Sequence, residues 1–447
     1  MNFTSLLHSV SYSGSWGQPA LTIEQFLGKA AELGFDGVML MAKRPHLSLL
    51  DYGESQRARL RQQLEKLKLR DLCIAGYNNF TADLEHGEIP QREMQIQYIT
   101  ELARALAPLL GERLQPIASR FAAPTHARRT AGDRLRTLGR DLCWHQVGVE
   151  RAARQAAAAL LHLPAGIGPV RRGLPTVLTI YDLNVLRFPQ LFRRWFRYYA
   201  SVVLPRAARS ADAIITLSHT SKADIVERLA IPAERVSVVP TGIHPSFTPI
   251  APQSESAREV RRRYGLPPAF VLTVGSVEPR KNLPRLLEAI HRLRARAETA
   301  DIVFVHAGPE GWLADGLYPA IRALGLSDVV RFLGYVPRQD LTALYGLARL
   351  CAYPSLSEGF GLPVAEAMAC GCPVVTSNVS ALPEVAGDAA LLVDPGSVEA
   401  IAAGIAALWT DPDRRRELAA RGRARARCFT WERAAQETVA VYEAVLA

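Results

Sequence analysis

Cysteine is scarce in this sequence, and long hydrophobic runs are missing. The six cysteines among 447 residues form neither the Cys-x-x-Cys nor the Cys/His spacing of a structural zinc site or a disulfide framework. Cys370 and Cys372 have one glycine between them, which favours small buried thiols near a helix end over a redox pair. No stretch approaches the ~20 apolar residues of a membrane-spanning helix, and residues 1–5 lack the basic start of a signal peptide. We therefore expect a cytoplasmic protein without a metal site.

Lysine is absent from residues 111–210, where arginine is abundant. This segment contains 17 Arg and five acidic residues, so its net charge of +12 exceeds the +10 of the whole chain. Such an excess suits an anionic membrane, a phosphorylated ligand or nucleic acid, but no nucleic-acid-binding motif accompanies it. We expect no nucleic-acid partner. The aromatic and arginine side chains of residues 186–209 predict either a face that contacts an anionic membrane from its inner side or an amphipathic helix packed on a sheet.

Residues 1–110 alternate three times between a short apolar strand and an amphipathic helix. The predicted strands are 3–10, 35–41 and 72–76, and the predicted helices are 21–33, 54–67 and 91–106. Three such units suit the opening of a βα barrel or of a doubly wound sheet. The strings Ala30–Val38, Arg44-Pro45-His46 and Ile74–Thr81 resemble the start of the sugar-phosphate isomerase/epimerase family, the xylose-isomerase-like barrels.

A complete βα barrel needs eight units in about 250 residues, and here the pattern stops after three. The resemblance implies a divalent metal held by carboxylates and histidines on later strands, and those positions have no counterpart in this chain. We therefore predict that residues 1–110 are a partial TIM-barrel-like fragment without an active site. Residues 111–132, which show little periodicity, are predicted to be a junction or linker.

From about residue 142 onward, strands and helices alternate as in α/β proteins. A Pro-bearing linker near residues 245–268 separates two sets of short apolar strands. The fold class is therefore α/β, with two Rossmann-like domains that face a cleft. The first covers 133–249, the second covers 250–429, and a C-terminal helix over 430–447 is predicted to pack back on the first.

The string 357–371 is the densest candidate site. Pro363 suits the first turn of a helix and Gly371 suits its end, which predicts a helix of about two turns. Gly359 and Gly361 lie in the loop before it and allow close approach of the backbone. The free N–H groups of the helix N-terminus suit a phosphate oxygen or sugar hydroxyls.

Two carboxylates, Glu358 in this loop and Glu366 in the first turn of the helix, are eight positions apart. They would repel a phosphate, so they are better suited to accept hydrogen bonds from the hydroxyls of a hexose and a ribose. The alternative for Glu366 is that it only complements the helix dipole.

A second motif, Gly275–Asn282, follows the first strand of the second domain. Gly275 allows a tight turn at the carboxyl end of that strand. Arg280 and Lys281 are adjacent cations at the entry of the next helix, where each could contribute about 1.5–3 kcal/mol through a charge-assisted contact with a phosphate. The pair is therefore predicted to hold a diphosphate.

These two motifs, together with Gly308-Pro309, Phe332–Val336 and Phe429–Glu432, closely resemble the family 4 glycosyltransferases of the GT-B fold, and their mannosyltransferase-like members in particular. The resemblance covers about residues 133–447. It implies retaining transfer of a hexosyl group from a nucleotide-diphosphate sugar, either GDP-mannose or a UDP-sugar, without a cofactor or an essential metal. The implied acceptor is a carbohydrate or a lipid-linked sugar.

The resemblance also implies roles for the matched residues. Glu358 would engage the donor sugar, Glu366 the ribose hydroxyls, and Arg280 with Lys281 the diphosphate, so Glu358, Arg280 and Lys281 are the predicted catalytic residues. The N–H groups of the loop before the helix would assist at the sugar or phosphate. The remaining predicted donor-site residues are Gly275, Glu278, Gly359, Phe360, Gly361 and Leu362.

The first domain departs from the family pattern in two ways. Many family members have a histidine where this chain has Tyr181, directly before Asp182, and the first βα unit with its Gly-rich loop is missing. The first domain is therefore predicted to be incomplete. Its candidate acceptor-side residues are Tyr181, Asp182, Ser218 and His162, of which His162 could equally be structural.

The leading prediction is thus a hexosyltransferase, with mannose the favoured sugar, in polysaccharide or glycolipid synthesis. One alternative is a fusion protein that binds the donor but transfers poorly because its first domain is incomplete. Another is sugar isomerisation or epimerisation by the N-terminal fragment.

Overall fold

The computed structural model describes residues 6–8, 37–41, 71–75, 101–106, 108–110, 144–164, 166, 168–170, 173–192, 197–309 and 316–447. The chain forms two compact units, one of residues 1–84 and 110–158 and the other of residues 85–109 and 159–447. The helical residues 101–106 belong to the second unit, where Glu101 Oε1 lies 3.8 Å from His244 Nε2. The sequence pattern instead predicts this helix together with the N-terminal strands.

Three short parallel strands form the sheet of the first unit. They are β1 (Leu6–His8), β2 (Gly37–Met41) and β3 (Asp71–Ala75), and they lie side by side in sequence order. A barrel opening and a doubly wound sheet share this arrangement, so the barrel fragment stays a prediction. Helix α1 (Val149–Gln155) belongs to the same unit. The predicted helices 21–33 and 54–67 and the junction 111–132 lie outside the described residues.

A four-stranded parallel sheet forms the first part of the second unit, which we call the first lobe. Its strands β4 to β7 lie in sequence order, and β5 and β6 are buried along their whole length, as expected for central strands of a parallel sheet. The elements of this lobe are β4 (Leu161–Leu163), β5 (Thr176–Thr179), α2 (Asn184–Arg187), α3 (Leu204–Ser210), β6 (Ala213–Thr216), α4 (His219–Leu229) and β7 (Val236–Val238).

A six-stranded parallel sheet forms the second lobe, with the order β10-β9-β8-β11-β12-β13. Strands β8 and β11 are neighbours although two other strands separate them in the sequence. Such a reversal of strand order leaves a crevice at the carboxyl ends of the strands, where ligands of open α/β sheets bind. The strands are β8 (Val271–Val274), β9 (Phe304–Ala307), β10 (Val330–Phe332), β11 (Leu350–Tyr353), β12 (Val374–Ser377) and β13 (Leu391–Val393).

Helices of the second lobe bury apolar residues at helical spacing against this sheet. In the helix that follows β8, Leu286, Ile290 and Leu293 are fully buried, and Trp409 of a packed helix donates its indole N–H to Asp301 Oδ1 at 2.9 Å. Truncation of one such side chain to alanine should cost about 2–5 kcal/mol of stability. The helices are α5 (Glu255–Arg263), α6 (Leu283–Arg294), α7 (Leu317–Ala323), α8 (Arg338–Leu347), α9 (Leu362–Ala369), α10 (Leu382–Ala386), α11 (Val398–Thr410) and α12 (Pro412–Ala426).

The last helix, α13 (Trp431–Leu446), returns to the first lobe and contacts β5 and β6. Its start is fixed by a close approach, because a Cβ at Gly242 would lie 2.4 Å from the backbone nitrogen of Trp431. The two parallel sheets with their intervening helices confirm the predicted α/β class. Within the residues described, none of the helices combines the length and the apolar character needed to cross a bilayer.

Candidate active site

Two basic side chains and one carboxylate meet at the crevice between β8 and β11. Arg280 and Lys281 lie in the turn after β8, and Glu358 lies in the loop after β11. Arg280 Nη1 is 2.5 Å from Glu358 Oε2, and Lys281 Nζ is 2.8 Å from Glu358 Oε1. Each of these side chains is at most 10% exposed. The three predicted catalytic residues therefore form one buried ion cluster.

The turn that holds the basic pair is fixed to three other strand ends. Asn282 has a left-handed backbone with φ of 62°, which asparagine tolerates better than most residues. Its Nδ2 donates to the carbonyls of Pro354 and Pro395 at 3.0 and 2.8 Å. Gly308 comes so close that a Cβ there would lie 1.9 Å from the carbonyl oxygen of Gly275. The backbone at Gly275 is therefore closely approached by that of another glycine.

Glu278 adds a second buried carboxylate to the cluster. Its Oε1 accepts hydrogen bonds from Arg280 Nη2 at 3.0 Å and from Ser276 Oγ at 3.1 Å. Its Oε2 is buried and has no hydrogen-bond partner among the described residues. Burial by itself would lower the pKa of Arg280, but Glu358 and Glu278 outweigh burial and raise that pKa further above its usual range. Both cations are thus paired within the protein, and a phosphate that binds here must share them.

The Glu358 carboxylate is ionised and oriented. Burial alone would raise the pKa of Glu358, but the neighbouring Arg280 and Lys281 outweigh burial and lower that pKa to about 2. Ser355 Oγ and Tyr353 Oη donate to Glu358 Oε1 at 2.7 and 2.9 Å. With donors on both of its oxygens, this carboxylate offers a fixed negative charge at neutral pH.

Tyr353 is not among the predicted site residues, because the last residue of a short apolar strand such as β11 is expected to lie in the core. Its side chain is 1% exposed, and its hydroxyl contacts both Lys281 Nζ and Glu358 Oε1. Lys281 Nζ also lies 4.8 Å from the centre of the tyrosine ring. Burial lowers the pKa of Lys281, although Glu358 opposes that shift. A polar-tipped aromatic residue at the carboxyl end of a buried strand was the one available signal.

The loop after Glu358 turns sharply into α9. Gly361 has a left-handed backbone with φ of 104°, and a Cβ there would lie 2.6 Å from Leu382 Cδ2. Phe360 is buried and packs edge-to-face against Phe429, with 5.3 Å between the ring centres. Leu362 is the first residue of α9, whose bounds agree with the predicted two-turn helix. The N-terminus of α9 therefore faces the same edge of the sheet as the ion cluster.

Glu366 has a different environment from Glu358. It is the fifth residue of α9, a helix without an acidic residue in its first turn, so the expectation that Glu366 lies in the first turn was wrong. Tyr345 Oη donates to Glu366 Oε2 at 3.2 Å. Burial raises the pKa of Glu366 to about 7, against the opposing effects of Tyr345 and Arg338. This carboxylate changes its charge near neutral pH.

Asp182 of the first lobe lies against the Glu358 loop. A Cβ at Gly359 would be 2.6 Å from the carbonyl oxygen of Tyr181 and 2.9 Å from Asp182 Cβ, so only glycine fits there. Asp182 Oδ1 accepts the N–H of Asn184 at 2.9 Å, and burial raises the pKa of Asp182 although Arg280 opposes the shift. The Tyr181 hydroxyl instead donates to the carbonyl of Pro164 at 2.5 Å.

The other two predicted acceptor-side residues make structural contacts. His162 Nδ1 lies 2.5 Å from the Tyr442 hydroxyl and His162 Nε2 lies 2.8 Å from Thr179 Oγ1, and burial lowers the pKa of His162 to about 4. The Ser218 side chain accepts the N–H of Ser221 at 3.1 Å and caps α4. Among the described residues, His, Cys, Asp and Glu form no group of three that could hold a metal ion.

Two protein-family models match this chain. The model for Glycosyl transferases group 1 matches residues 257–425, and the model for Glycosyltransferase Family 4 matches residues 96–247. The second match begins well before residue 133, where the resemblance seen in the sequence began. Part of the segment assigned to the barrel fragment and the junction therefore resembles this family.

Individual proteins give the same assignment. The chain is 36% identical over 268 residues to an O-antigen chain mannosyltransferase B of Escherichia coli. This match covers 60% of this chain and 70% of that protein. It is 34% identical over 262 residues to an MMP alpha-(1->4)-mannosyltransferase of Mycolicibacterium hassiacum, covering 58% of this chain and 59% of that protein. The fold resembles that of sucrose-phosphate synthase from Thermosynechococcus elongatus, with a TM-score of 0.63, 21% identity, and coverage of 83% of this chain and 97% of that one. The chain therefore belongs to the family 4 glycosyltransferases and has their GT-B fold.

Proposed function

We propose that this glycosyltransferase moves a mannosyl group from a nucleotide-diphosphate sugar to a carbohydrate or lipid-linked acceptor, with retention of the anomeric configuration. The observation that carries the proposal is the ionised Glu358, held by Arg280 and Lys281 at the carboxyl edge of the second sheet. Mannose is favoured because the two relatives named above are mannosyltransferases. GDP-mannose is the first donor to test, and UDP-sugars are the next.

The basic pair would bind the diphosphate of the donor. When the bond between C1 and the phosphate oxygen breaks, its electron pair goes to that oxygen, and negative charge grows on the leaving diphosphate. Arg280 and Lys281 are in place before the reaction and would stabilise this charge more in the transition state than in the ground state. Because both are already paired with Glu358 and Glu278, donor binding would redistribute these contacts.

The Glu358 carboxylate would act at the sugar. A fixed negative charge close to C1 stabilises positive charge that develops on the ring when the leaving group departs. The acceptor hydroxyl forms the new bond to C1 and must lose its proton. The departing phosphate oxygen gains an electron pair and can accept that proton, so the balance of the step needs neither a metal nor a cofactor.

Glu366 would accept hydrogen bonds from the ribose hydroxyls. Its carboxylate lies on α9, the helix that follows the Glu358 loop. The Tyr345 hydroxyl donates a hydrogen bond to one of its oxygens. The ionised form binds hydroxyl donors better than the protonated form, which has one oxygen fewer to accept with.

The acceptor would enter beside Asp182, where the first lobe meets the Glu358 loop. Peripheral contact with an anionic membrane would bring a lipid-linked acceptor to this edge. The segment 186–209 supports that proposal in part, because Tyr198 is exposed while Tyr199 is buried and donates its hydroxyl to the carbonyl of Gly166. Residues 193–196 of the segment lie outside the described part of the chain. We propose no nucleic-acid partner.

The test is a transfer assay with GDP-mannose and a panel of UDP-sugars, using oligosaccharide and lipid-linked acceptors. We expect one donor to yield a glycoside whose anomeric configuration, read by nuclear magnetic resonance, matches that of the donor. Melting temperatures measured with the same panel identify the donor independently, and Glu366→Ala should abolish the increase. An inverted product would exclude the retaining mechanism. Donor binding without any transfer would support the donor-binding fusion protein instead.

A further inference from the structure

The N-terminus of α4 in the first lobe is bound by a carboxylate from the second lobe. Glu384 of α10 accepts hydrogen bonds from the backbone N–H groups of His219 and Thr220, both at 2.7 Å, and also from the Thr220 hydroxyl. Ser218 accepts the N–H of Ser221. Free N–H groups and the helix dipole favour a negative charge at this position. The contact joins the two lobes through a charge and a helix end.

Ser380 connects this contact to the Glu358 loop. Its carbonyl oxygen lies 3.1 Å from the Thr220 hydroxyl oxygen, whose single proton is shared between Ser380 and Glu384. Its own hydroxyl oxygen accepts the backbone N–H of Glu358 at 2.8 Å and donates to the backbone carbonyl of Glu358 at 2.6 Å. One side chain thus holds both backbone polar groups of the predicted catalytic residue.

The backbone of Ser380 is itself unusual. Its φ of 63° lies in the left-handed region, which is uncommon for residues other than glycine and persists where the surrounding structure enforces it. A glycine at this position would relieve the strain and would lose the two hydrogen bonds to Glu358. The presence of serine rather than glycine indicates that the two hydrogen bonds of its hydroxyl outweigh the cost of the left-handed backbone.

We infer that Glu384 and Ser380 are positioning residues for glycosyl transfer, which fix the Glu358 loop against the first lobe. The inference rests on the transferase function proposed above. Gly359 already packs on the Tyr181 carbonyl and Asp182, so Glu358 faces the acceptor side only in this arrangement of the lobes. Without Glu384, the α4 N–H groups return to water, the contact between the lobes loses the three hydrogen bonds that Glu384 accepts, and the loop is less constrained.

The experiment compares Glu384→Ala and Ser380→Gly with the wild-type chain in the transfer assay. We expect kcat to fall roughly ten- to hundredfold in both variants, as for small misplacements of reacting groups. The donor KM should change by no more than about threefold, because the donor site belongs to the second lobe. In Ser380→Gly the relief of backbone strain offsets at least part of the loss of two hydrogen bonds, so the loss of kcat should occur with only a small change in melting temperature.

The matched control is Glu399→Ala. Glu399 is also an acidic residue at the start of a second-lobe helix, its side chain is 69% exposed and it pairs with Arg292 on the surface, so its removal changes the charge without touching the lobe contact. Thr220→Val tests whether Glu384 acts through its contact with α4. If Glu384 acts through α4, Thr220→Val should lower kcat in the wild type and add little in the Glu384→Ala background.

Three results would overturn the inference. The first is an unchanged kcat in Glu384→Ala and Ser380→Gly while the wild type transfers sugar, which leaves the proposed function standing. The second is fully additive loss in the double variant. The third is a wild-type chain that transfers sugar from no donor, in which case the proposed function fails and the inference fails with it.

Discussion

The carboxyl edges of the two sheets use their polar side chains in different ways. At the edge of the second sheet, Arg280 and Lys281 pair with Glu358, and these charges can be shared with a ligand. At the edge of the first sheet, His162 is hydrogen-bonded at both ring nitrogens and the Tyr181 hydroxyl is bound to a backbone carbonyl. The second lobe thus presents charged side chains at its sheet edge, whereas the polar side chains at the edge of the first sheet are occupied by contacts within that lobe.

Among the variants that test this difference between the two sheets, Glu358→Gln should have the largest effect on transfer. The amide keeps the shape of the side chain but removes the charge that both cations neutralise and that would face the sugar. We expect kcat/KM for transfer to fall roughly 10²–10³-fold. Glu278→Gln is the matched control, because it removes a carboxylate from the same cluster that contacts Arg280 alone of the two cations, and its effect should be smaller. Equal losses in the two variants would show that net charge, and not the position of Glu358, matters.

Lys281→Met should come next in size. It keeps the buried stem and removes the ammonium, so the affinity for a nucleotide diphosphate should fall by about 1.5–3 kcal/mol, measured by calorimetry. Tyr353→Phe removes only the hydroxyl that contacts Lys281 and Glu358, and it should weaken binding less. An unchanged affinity in Lys281→Met would show that Lys281 does not bind the diphosphate.

Glu366 gives a pH-dependent prediction. Burial raises its pKa to about 7, so protons compete with the ribose for the carboxylate. Donor affinity should therefore be highest above pH 7 and should weaken as the pH falls through 7, until it reaches the lower affinity of the protonated form. Glu366→Gln should bind the donor more weakly at pH 8 and lose most of this dependence. A steep pH dependence that persists in Glu366→Gln would point to another group.

His162→Phe should have the smallest effect on transfer and a measurable effect on stability. The change leaves the hydroxyls of the buried Thr179 and the half-buried Tyr442 without their ring partner, at a cost of about 1–3 kcal/mol in the free energy of unfolding. It should lower kcat less than any of the second-lobe variants above. A loss of kcat as large as that of Glu358→Gln would assign His162 to the acceptor site.

His162 should also make the free energy of unfolding depend on pH. Burial lowers the pKa of His162 to about 4 from its usual 6.5, so at this residue the folded chain binds fewer protons than the unfolded chain between these values. The contribution of His162 to the free energy of unfolding should therefore decrease as the pH falls from 6.5 to 4, and the wild type should lose more stability over this range than His162→Phe. The exposed pair Arg416–Asp413 is the control, because Arg416→Ala should change stability by less than about 0.5 kcal/mol.

Much of the second lobe could be predicted from the sequence because its determinants are local. Pro363 and Gly371 bound α9 to within two residues, and the adjacent cations Arg280 and Lys281 follow a recognisable strand. The spacing of Glu358 and Glu366 gave two carboxylates near one helix, but it did not separate their charge states. That difference comes from burial beside two cations in one case and beside a tyrosine in the other.

The lobe contact could not be predicted, because it depends on residues far apart in the sequence. Glu384 and Thr220 are 164 positions apart, and neither belongs to a sequence motif that indicates which residue it contacts. Ser380 looks like an ordinary loop residue until its left-handed backbone is known. The limits of the family region were also predicted too short, since the match begins at residue 96 in a segment whose helix resembles any amphipathic helix.

The most direct test of the central claim is a comparison of ligands on the unmodified chain. Calorimetry would measure the affinity of the matching nucleoside diphosphate and of its monophosphate. If the cluster of Arg280, Lys281 and Glu358 is the diphosphate site, the diphosphate should bind at least about tenfold more tightly, since one charge-assisted contact is worth that much. Equal affinities for the two nucleotides would contradict the assignment of this cluster to the donor.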